Sequence, residues 1–488
     1  MKQQKILLSG LLLAAALLSA CGDAGTGTQT PVQTQPVSND SGETAPVTEA
    51  YDGPILPEAD FGGEIFSFYN TCTCDWMAIN RVTAEEEVGD TLNDAVFRRN
   101  ALIEERYNIK LAELQMTAGD NALKNVMNFI TAGDSTYSIY LLREEPAFNV
   151  VLQSGAMDFA DIPHLNLDRE WWLQSSLESM SIDNRVFYGI STFDTTHYDG
   201  TSALFFNKTM AADFDLDSPY EMVEDGTWTI DRLREMAMNV SSDLNGDGKW
   251  DEQDRYGYTS HEFLVTRYLA AALEAPMSLA KDGDDMLAFT MTDEAYINRL
   301  LKVSEFCKKD AGFYHPKATS ENHGGYEFFI SGNVLFYNET LGNAQKLRQM
   351  TLDFGILPPP KYDEKQENYY SDVIEAYFML VPVTNADLDR TGILMEALAY
   401  ESLDTVMTAA YDGMLQGIVS RDTESEASLD IIFGNLSYNH PVAFAYTCSN
   451  LYPKLFAGKT DIASSLEKLT SKIEKAIEDA NLAYEENN

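Results

Sequence analysis

Strand-like and helix-like segments alternate along this chain of 488 residues, and the alternation constrains its fold more than any single motif. Residues 63–69 predict a first strand, residues 109–114 alternate like a strand, and residues 137–142 form a short buried run. Residues 91–107 and 122–130 repeat apolar side chains every three or four positions, which predicts helices. We therefore expect an α/β protein with largely parallel sheets.

The first twenty residues have the features of a secretory signal peptide. Lys2 and Lys5 flank the start of an apolar run over residues 6–18, which is too short to cross a bilayer. Cys21 directly follows Leu-Ser-Ala and resembles the lipobox cysteine of bacterial lipoproteins, which is acylated before the signal is removed. We expect cleavage of residues 1–20 and a palmitate-type anchor on Cys21 at the extracellular face of the cell membrane. An ordinary signal peptide followed by a chance cysteine is the alternative.

Composition divides the rest of the chain into a tether and a body. Residues 21–50 contain mainly Thr, Gln, Pro, Ser, Gly and acidic side chains, and we expect them to stay disordered. The remaining chain, about 430 residues, is too long for one ordinary domain and favours two lobes. The net charge of −43 becomes two units more negative when Lys2 and Lys5 are removed, which disfavours nucleic acid and anionic lipid as partners.

Three motifs in the body resemble a known family. They are Phe-Phe-Asn-Lys at 205–208, Pro-Tyr-x-x-Val…Gly-x-Trp-Thr-Ile-Asp at 219–231 and Phe-Gly-Ile-Leu-Pro-Pro-Pro-Lys-Tyr at 354–362. Together with the lipobox and the Asp/Asn/Gly loop at 243–254, they resemble the extracellular solute-binding lipoproteins of ABC importers. The resemblance is to the family 1-like, carbohydrate-type proteins of Gram-positive gut bacteria, and it spans nearly the whole mature chain.

The resemblance implies a periplasmic-binding-protein-like (type II) α/β fold with two lobes and an interlobe cleft. It places crossings between the lobes at 205–208, 334–337 and near 399–402. The implied division is 51–204 with 336–398 for lobe 1 and 205–335 with 399–488 for lobe 2. The implied function is capture of a mono- or oligosaccharide by a monomer that closes by a hinge motion and delivers the sugar to an ABC permease.

The loop from residue 243 to residue 254 predicts a structural calcium ion. Oxygen donors occur at positions one, three, five, seven, nine and twelve of a twelve-residue loop, with Gly248 at the sharp turn. Four carboxylates this close together would repel one another without a cation. A solvated acidic loop is the alternative. The predicted ligands are the side chains of Asp243, Asn245, Asp247, Asp251 and Asp254 and the carbonyl of Lys249.

A sugar-binding cleft needs aromatic faces for pyranose rings and polar side chains for the hydroxyls. Trp228 lies in a predicted helix staple, and Trp250 occupies a loop position that normally points inward, so we expect both in the core. Trp76, beside Asp75, follows the first predicted strand at its carboxyl end, where ligands of open α/β sheets bind. The predicted ligand-binding residues, several of them from the resemblance alone, are Asp75, Trp76, Trp171, Trp172, Asp194, Tyr370 and Ser371.

The usual catalytic motifs are each broken by one residue. His261-Glu-Phe-Leu-Val265 lacks the second histidine of a zinc protease, Gly133-Asp-Ser-Thr-Tyr137 lacks the final glycine of a nucleophile elbow, and the stretch before Gly458-Lys-Thr lacks the first glycine of a phosphate loop. We therefore expect no enzymatic activity. A secreted glycosidase remains the alternative, because some pair among 77 acidic residues will always be close, and so does a binding protein for a peptide or another non-sugar solute.

Four cysteines remain in addition to Cys21, and their spacing predicts no metal site. Cys72-x-Cys74 lacks the spacing of a zinc knuckle or a thioredoxin motif. With Cys307 and Cys448 they could form one or two disulfides or all stay reduced.

Overall fold

The computed structural model describes residues 53–74, 76–78, 80–261, 264–274, 280–308, 310, 312–315, 325–343, 347, 351–418, 423–442, 445 and 450–487. The segment Gly53–Asn488 forms one compact unit. The predicted signal peptide, Cys21 and the tether lie outside the described residues. Among the helices described, none has the length and apolarity of a membrane span.

The strands of the described residues fall into two five-stranded sheets and two short two-stranded pairs. They are β1 (Glu64–Asn70), β2 (Ile109–Gln115), β3 (Ile139–Leu142), β4 (Tyr188–Gly189), β5 (Ser202–Asn207), β6 (Tyr256–Ser260), β7 (Ala280–Lys281), β8 (Leu287–Ala288), β9 (Phe313–Tyr314), β10 (Val334–Thr340), β11 (Phe354–Leu357), β12 (Ser371–Asp372), β13 (Phe378–Leu380) and β14 (Leu436–Ser437).

The first sheet has the order β2-β1-β3-β13-β4. β1 pairs in parallel with both β2 and β3, while β13 is antiparallel to β3 and β4. Four strands therefore run one way and one runs the other, as expected for a largely parallel sheet. All four residues of β3 are buried, because helices and loops cover both faces of the sheet at its centre.

The second sheet has the order β11-β5-β10-β6-β9. β10 is parallel to β6 and β6 to β9, whereas β5 is antiparallel to both β10 and β11. Every residue of β5 and β10 is buried. This sheet also has a single reversed strand, so the predicted α/β class is confirmed.

Helices cover both sheets and form most of the carboxyl-terminal region. They are α1 (Thr91–Tyr107), α2 (Ala122–Thr131), α3 (Glu144–Val151), α4 (Gln174–Met180), α5 (Thr196–Gly200), α6 (Lys208–Asp213), α7 (Pro219–Glu224), α8 (Ile230–Val240), α9 (Leu264–Ala272), α10 (Glu294–Phe306), α11 (Tyr326–Ile330), α12 (Leu388–Leu403), α13 (Val406–Ile418), α14 (Glu424–Gly434), α15 (Tyr452–Phe456), α16 (Ile462–Glu467) and α17 (Thr470–Glu486).

The predicted crossing positions at 205–208 and 334–337 need correction. Phe205 belongs to β5 and Val334 to β10, and these two strands pair with each other inside the second sheet. The chain instead passes between sheets after β4 and again between β11 and β13. The predicted lobe bounds assign residues 336–357 to lobe 1, but these residues contribute β10 and β11 to the second sheet, because their hydrogen-bonding partner is β5.

The segment around Trp228 has the local structure that the sequence predicts. The side chain of Thr229 accepts a hydrogen bond from the backbone N–H of Arg232 at the start of α8. Trp228 is fully buried, and its indole N–H donates to the carbonyl of Pro358 at 3.1 Å. The motif at 219–231 is thereby joined to the motif at 354–362, and both shape the core of the second sheet.

Apolar packing connects the two sheets as well as covering each. Tyr140 of β3 and Phe336 of β10 belong to one continuous buried cluster. Separate clusters cover the other face of each sheet, one including Phe66 and the other Phe205. The two sheets are thus held within one compact body.

Candidate functional site

The order of the first sheet marks a place for a ligand. β1 lies between β2 and β3, so the order of strands reverses at the β1–β3 pair. Ligands of open α/β sheets bind at the carboxyl ends of strands at such a switch point. Here those ends are followed by the segment 71–78 after β1 and by Arg143 after β3.

Trp76 lies where the segment after β1 meets the second sheet. A Cβ atom placed on Gly342, which follows β10, would lie 2.7 Å from the ring of Trp76 and 2.9 Å from the Cβ of Asp199. The backbone N–H of Ala78 donates to Oδ2 of Asp199 at 2.7 Å, and Asp199 lies in α5, in the link between the sheets. The half-buried indole of Trp76 therefore lies where the two sheets meet, and its role as a ligand platform stays a prediction.

A charged cluster lies beside Trp76 at the same edge of the first sheet. Arg143 forms an ion pair with Glu375, and the guanidinium lies 6.0 Å from the ring centroid of Tyr377. The Cys74 thiol lies 3.5 Å from Oε2 of Glu375 and 3.7 Å from the hydroxyl of Tyr377. Arg143 stays 45% exposed, so its planar donors can reach a ligand oxygen while Glu375 orients them.

A second, largely buried cluster crosses from one sheet system to the other. Nε of Arg267, in α9, bonds Oδ2 of Asp372 at 2.5 Å, and Nη1 lies 3.9 Å from Oε1 of Glu144, which opens α3. The amide of Asn439 donates to the other oxygen of Asp372. Burial raises the pKa of Asp372 to about 6, although the Arg267 charge acts in the opposite direction. Because this group is out of water, we assign it to the attachment of the sheets rather than to ligand binding.

Trp171 and Trp172 are not in the site. Each is 1% exposed, and both indole N–H groups donate to Glu396, at 2.9 Å and 3.0 Å. They belong to the apolar cluster of the first sheet. The expectation that they form sugar platforms is wrong for this structure, because their faces are covered by core side chains.

The remaining predicted residues differ in position. Asp194 is buried just before α5, accepts from the N–H of Thr196 at 2.7 Å, and has its pKa raised to about 6 by burial. Ser371 is fully buried in β12, so it cannot contact a ligand in this arrangement, whereas Tyr370 next to it is half-buried. Asp75 lies outside the described residues.

The sequence prediction missed Arg143, Asp199 and Glu375. Arg143 directly follows the apolar run predicted as a strand, so the end-of-strand rule that selected Trp76 would also have selected it. Asp199 and Glu375 carry no such signal. They reach the site only because the chain passes between the two sheets at these points.

The acidic loop at 243–254 is folded by its own hydrogen bonds. Asp243 accepts from the N–H groups of Gly246 and Gly248, and Asn245 and Asp247 each accept from the N–H two residues ahead. A bridge between Ser242 and Arg255 closes the loop. The carboxylate of Asp254 accepts hydrogen bonds from the backbone N–H groups of Leu244 and Asp251. The carboxylate of Asp251 accepts one from the N–H of Gln253.

The calcium ion expected in this loop stays a prediction. Within the part of the chain that the structure describes, no three His, Cys, Asp or Glu side chains are grouped to hold a metal. Trp250 in this loop is 41% exposed, so its expected burial is wrong. Among the described residues the cysteines 72, 74 and 307 are free thiols, while Cys448 lies outside the description.

Comparison with known proteins identifies the fold. No known protein family and no curated protein matches the sequence. Solved structures do match. A family 1 extracellular solute-binding protein from Bifidobacterium longum subsp. infantis has a TM-score of 0.54 at 14% identity, over 84% of this chain and 100% of that chain.

Two further structures give the same result. An ABC substrate-binding protein from Listeria monocytogenes in complex with cycloalternan has a TM-score of 0.54 at 11% identity, over 85% of this chain and 99% of that chain. A sugar transporter from Rhizobium etli in an open conformation has a TM-score of 0.54 at 11% identity, over 86% of this chain and 99% of that chain. This chain has the α/β fold of periplasmic-binding-protein-like solute-binding proteins.

Proposed function

We propose that this chain is the extracellular substrate-binding subunit of an ABC importer and takes up a mono- or oligosaccharide. The observation that carries the proposal is the position of Trp76, after the carboxyl end of β1 and against Gly342, which follows β10 of the second sheet. An indole face with Arg143, Glu375 and Asp199 around it offers stacking and hydrogen bonds to a polyhydroxylated ring.

The similar structures support the sugar class. The Listeria protein was solved with cycloalternan, and another similar structure, with a TM-score of 0.54 at 12% identity, is a cyclo/maltodextrin-binding protein with maltotetraose. We propose that the present chain acts as a monomer, closes over its sugar and passes it unaltered to a permease.

Calorimetry with maltotriose, maltotetraose and cycloalternan, alongside a peptide panel, tests the ligand class. We expect at least one sugar to bind the wild-type protein, and Trp76→Ala to weaken that binding about tenfold or more, because stacking on the indole is lost. Leu482→Ala, an exposed apolar residue of α17, is the matched control and should bind like wild type. Binding of peptide but of none of the sugars would overturn the carbohydrate assignment.

Incubating the same protein with these oligosaccharides distinguishes a binding protein from an enzyme. A binding protein raises its melting temperature with sugar and leaves the sugar intact. Release of reducing ends from any of the three oligosaccharides would replace the proposal with the glycosidase alternative.

We also propose that an acylated Cys21 anchors the protein to the membrane. Cys21→Ser should move the protein from the membrane fraction to the medium, because the thiol that carries the acyl chain is gone. An unchanged membrane fraction would contradict the anchor and leave the sugar-binding proposal untouched.

A further inference from the structure

A cavity of about 440 Å³ lies beside the acidic loop, outside the site at Trp76. Its volume falls within the range of small-molecule sites. The lining combines aromatic rings with carboxylate and amide side chains. The lining residues are Trp250, Asp251, Glu252, Gln253, Tyr314 and His315.

Trp250 forms an exposed aromatic wall that is supported from behind. It is 41% exposed, and its ring packs edge to face against Tyr256 with the centroids 5.4 Å apart. Tyr256 in turn contacts Tyr314 at 5.1 Å, and Tyr314 stacks on Phe328 at 4.3 Å. A large apolar ring in a solvated loop is held out by this packing instead of collapsing into the core, which is the arrangement of a binding surface.

The polar side of the cavity is equally fixed. Asp251 accepts from the N–H of Gln253 at 2.9 Å, and its own N–H donates to the buried Asp254 at 2.9 Å. The hydroxyl of Tyr314 donates a hydrogen bond to the Glu252 carboxylate at the cavity edge. Glu252 and Gln253 are exposed and bring acceptor and donor groups to the cavity edge.

We propose that this cavity is a second carbohydrate site, which takes one or two pyranose units against the face of Trp250. A flat apolar ring face beside both donors and acceptors suits a polyhydroxylated ring. An organic cation could use the same rings and carboxylates but would leave the amide donors of Gln253 without a role.

The cavity is distinct from the site at Trp76. Trp250 packs on Tyr256, which opens β6 and pairs with Val334, the first residue of β10. Trp76 contacts the position of Gly342, beyond the last residue of β10. The seven residues of β10 span roughly 20 Å at 3.3 Å per residue, so one short oligosaccharide does not fill both places.

Saturation-transfer NMR with millimolar maltotetraose and cellotetraose, on full-length protein carrying Trp76→Ala, tests the proposal. We expect weak binding to persist in this background, to fall at least tenfold when Trp250→Ala is added, and to recover in part with Trp250→Phe. Leu244→Ala, an equally exposed apolar residue of the same loop outside the cavity lining, is the control and should bind like its parent.

The results separate this proposal from the proposed function. If Trp76→Ala removes the tighter sugar binding of the wild-type protein, that result tests the site between the sheets. If Trp250→Ala removes the weaker sugar binding, that result tests the cavity. Weak sugar binding that is absent in the Trp76→Ala protein, or that survives Trp250→Ala, would overturn the second site. A saturation-transfer signal from choline, with no signal from either sugar, would overturn the carbohydrate site in favour of a cation site.

Discussion

Asp199 is a half-buried carboxyl group at the junction of the two sheets. Burial raises its pKa from 3.8 to about 7, against the opposing hydrogen bond from the N–H of Ala78. The unfolded chain then binds fewer protons than the folded one between these two pKa values, so this group's contribution to stability is present in full below pH 4 and is lost as the pH rises through 7.

We therefore expect Asp199→Asn to raise the melting temperature relative to wild type at pH 8 and to lose that advantage at pH 5. The amide oxygen can still accept from Ala78, while the charge that must be desolvated is gone. Thermal unfolding of both proteins at the two pH values measures the difference. An equal difference in melting temperature at pH 5 and pH 8 would show that Asp199 does not change its protonation state between them, which would contradict the raised pKa.

Cys74 should be the reactive thiol of the described chain. A hydrogen bond from the Cys72 thiol, followed by the Tyr377 hydroxyl and the Arg143 charge, lowers its pKa to about 6 despite partial burial. Alkylation by iodoacetamide, located by peptide mass, should reach half its maximal rate near pH 6 at Cys74 and should not label buried Cys72 and Cys307 at pH 7. A Cys74 rate that still rises between pH 8 and 9 would contradict the lowered pKa.

The tryptophans show that residue type alone does not predict whether a side chain is buried. The sequence predicted Trp228 in the core because a helix cap beside it fixes its surroundings locally. The buried indoles of Trp171 and Trp172 donate to Glu396, which lies more than two hundred residues later in the chain. No local sequence pattern therefore indicates that these two side chains are buried. Trp250 has a local pattern for burial, but its exposure depends on Tyr256 and Tyr314 in neighbouring strands.

At the scale of elements, Glu396 attaches α12 to the segment between β3 and β4. Its carboxylate accepts from two buried indole N–H groups, and the exposed fraction of the residue is zero. Glu396→Ala should lower the free energy of unfolding by about 2–6 kcal/mol, because two buried donors lose their partner at about 1–3 kcal/mol each. Urea unfolding measures this, with the exposed Glu474→Ala of α17 as the control.

The acidic loop at 243–254 carries our calcium prediction at the same scale. The side chains of Asp243, Asp247 and Asp251 can keep their backbone hydrogen bonds and still ligate an ion, because each carboxylate has further lone pairs. We propose that a calcium ion binds these carboxylates and relieves their mutual repulsion, so EGTA should lower the melting temperature and calcium should restore it. A melting temperature that is indifferent to both would leave the loop as a solvated, self-capped turn.

Elements were more predictable than their arrangement. The strands β1, β2 and β3 occur where the sequence predicted them, since an apolar run or an alternating pattern is a local signature of a strand. The crossings could not be placed from 205–208 or 334–337, because an apolar strand reads the same in either sheet and only pairing decides its place. The candidate ligand site was therefore predicted only in part. Trp76 follows a strand and could be predicted, whereas Asp199 and Glu375 come from the segments that pass between the two sheets.

At the scale of the whole molecule, the contact at Gly342 tests how the two sheets move. Closing over a ligand requires the segment after β10 to approach the loop that carries Trp76. Gly342 has no side chain at this point, and an added Cβ would lie 2.7 Å from the indole. Gly342→Ala should therefore hold the two parts slightly apart.

We expect Gly342→Ala to weaken binding of the sugar identified by calorimetry about tenfold, since overpacking of about 1–3 kcal/mol opposes the close approach of Gly342 to Trp76. Small-angle scattering should show a larger radius of gyration than wild type in the presence of sugar and little change in melting temperature. Gly434→Ala, which has open space around the added methyl group, is the matched control. If Gly342→Ala binds and compacts like wild type, the contact between Trp76 and the segment after β10 plays no part in closure.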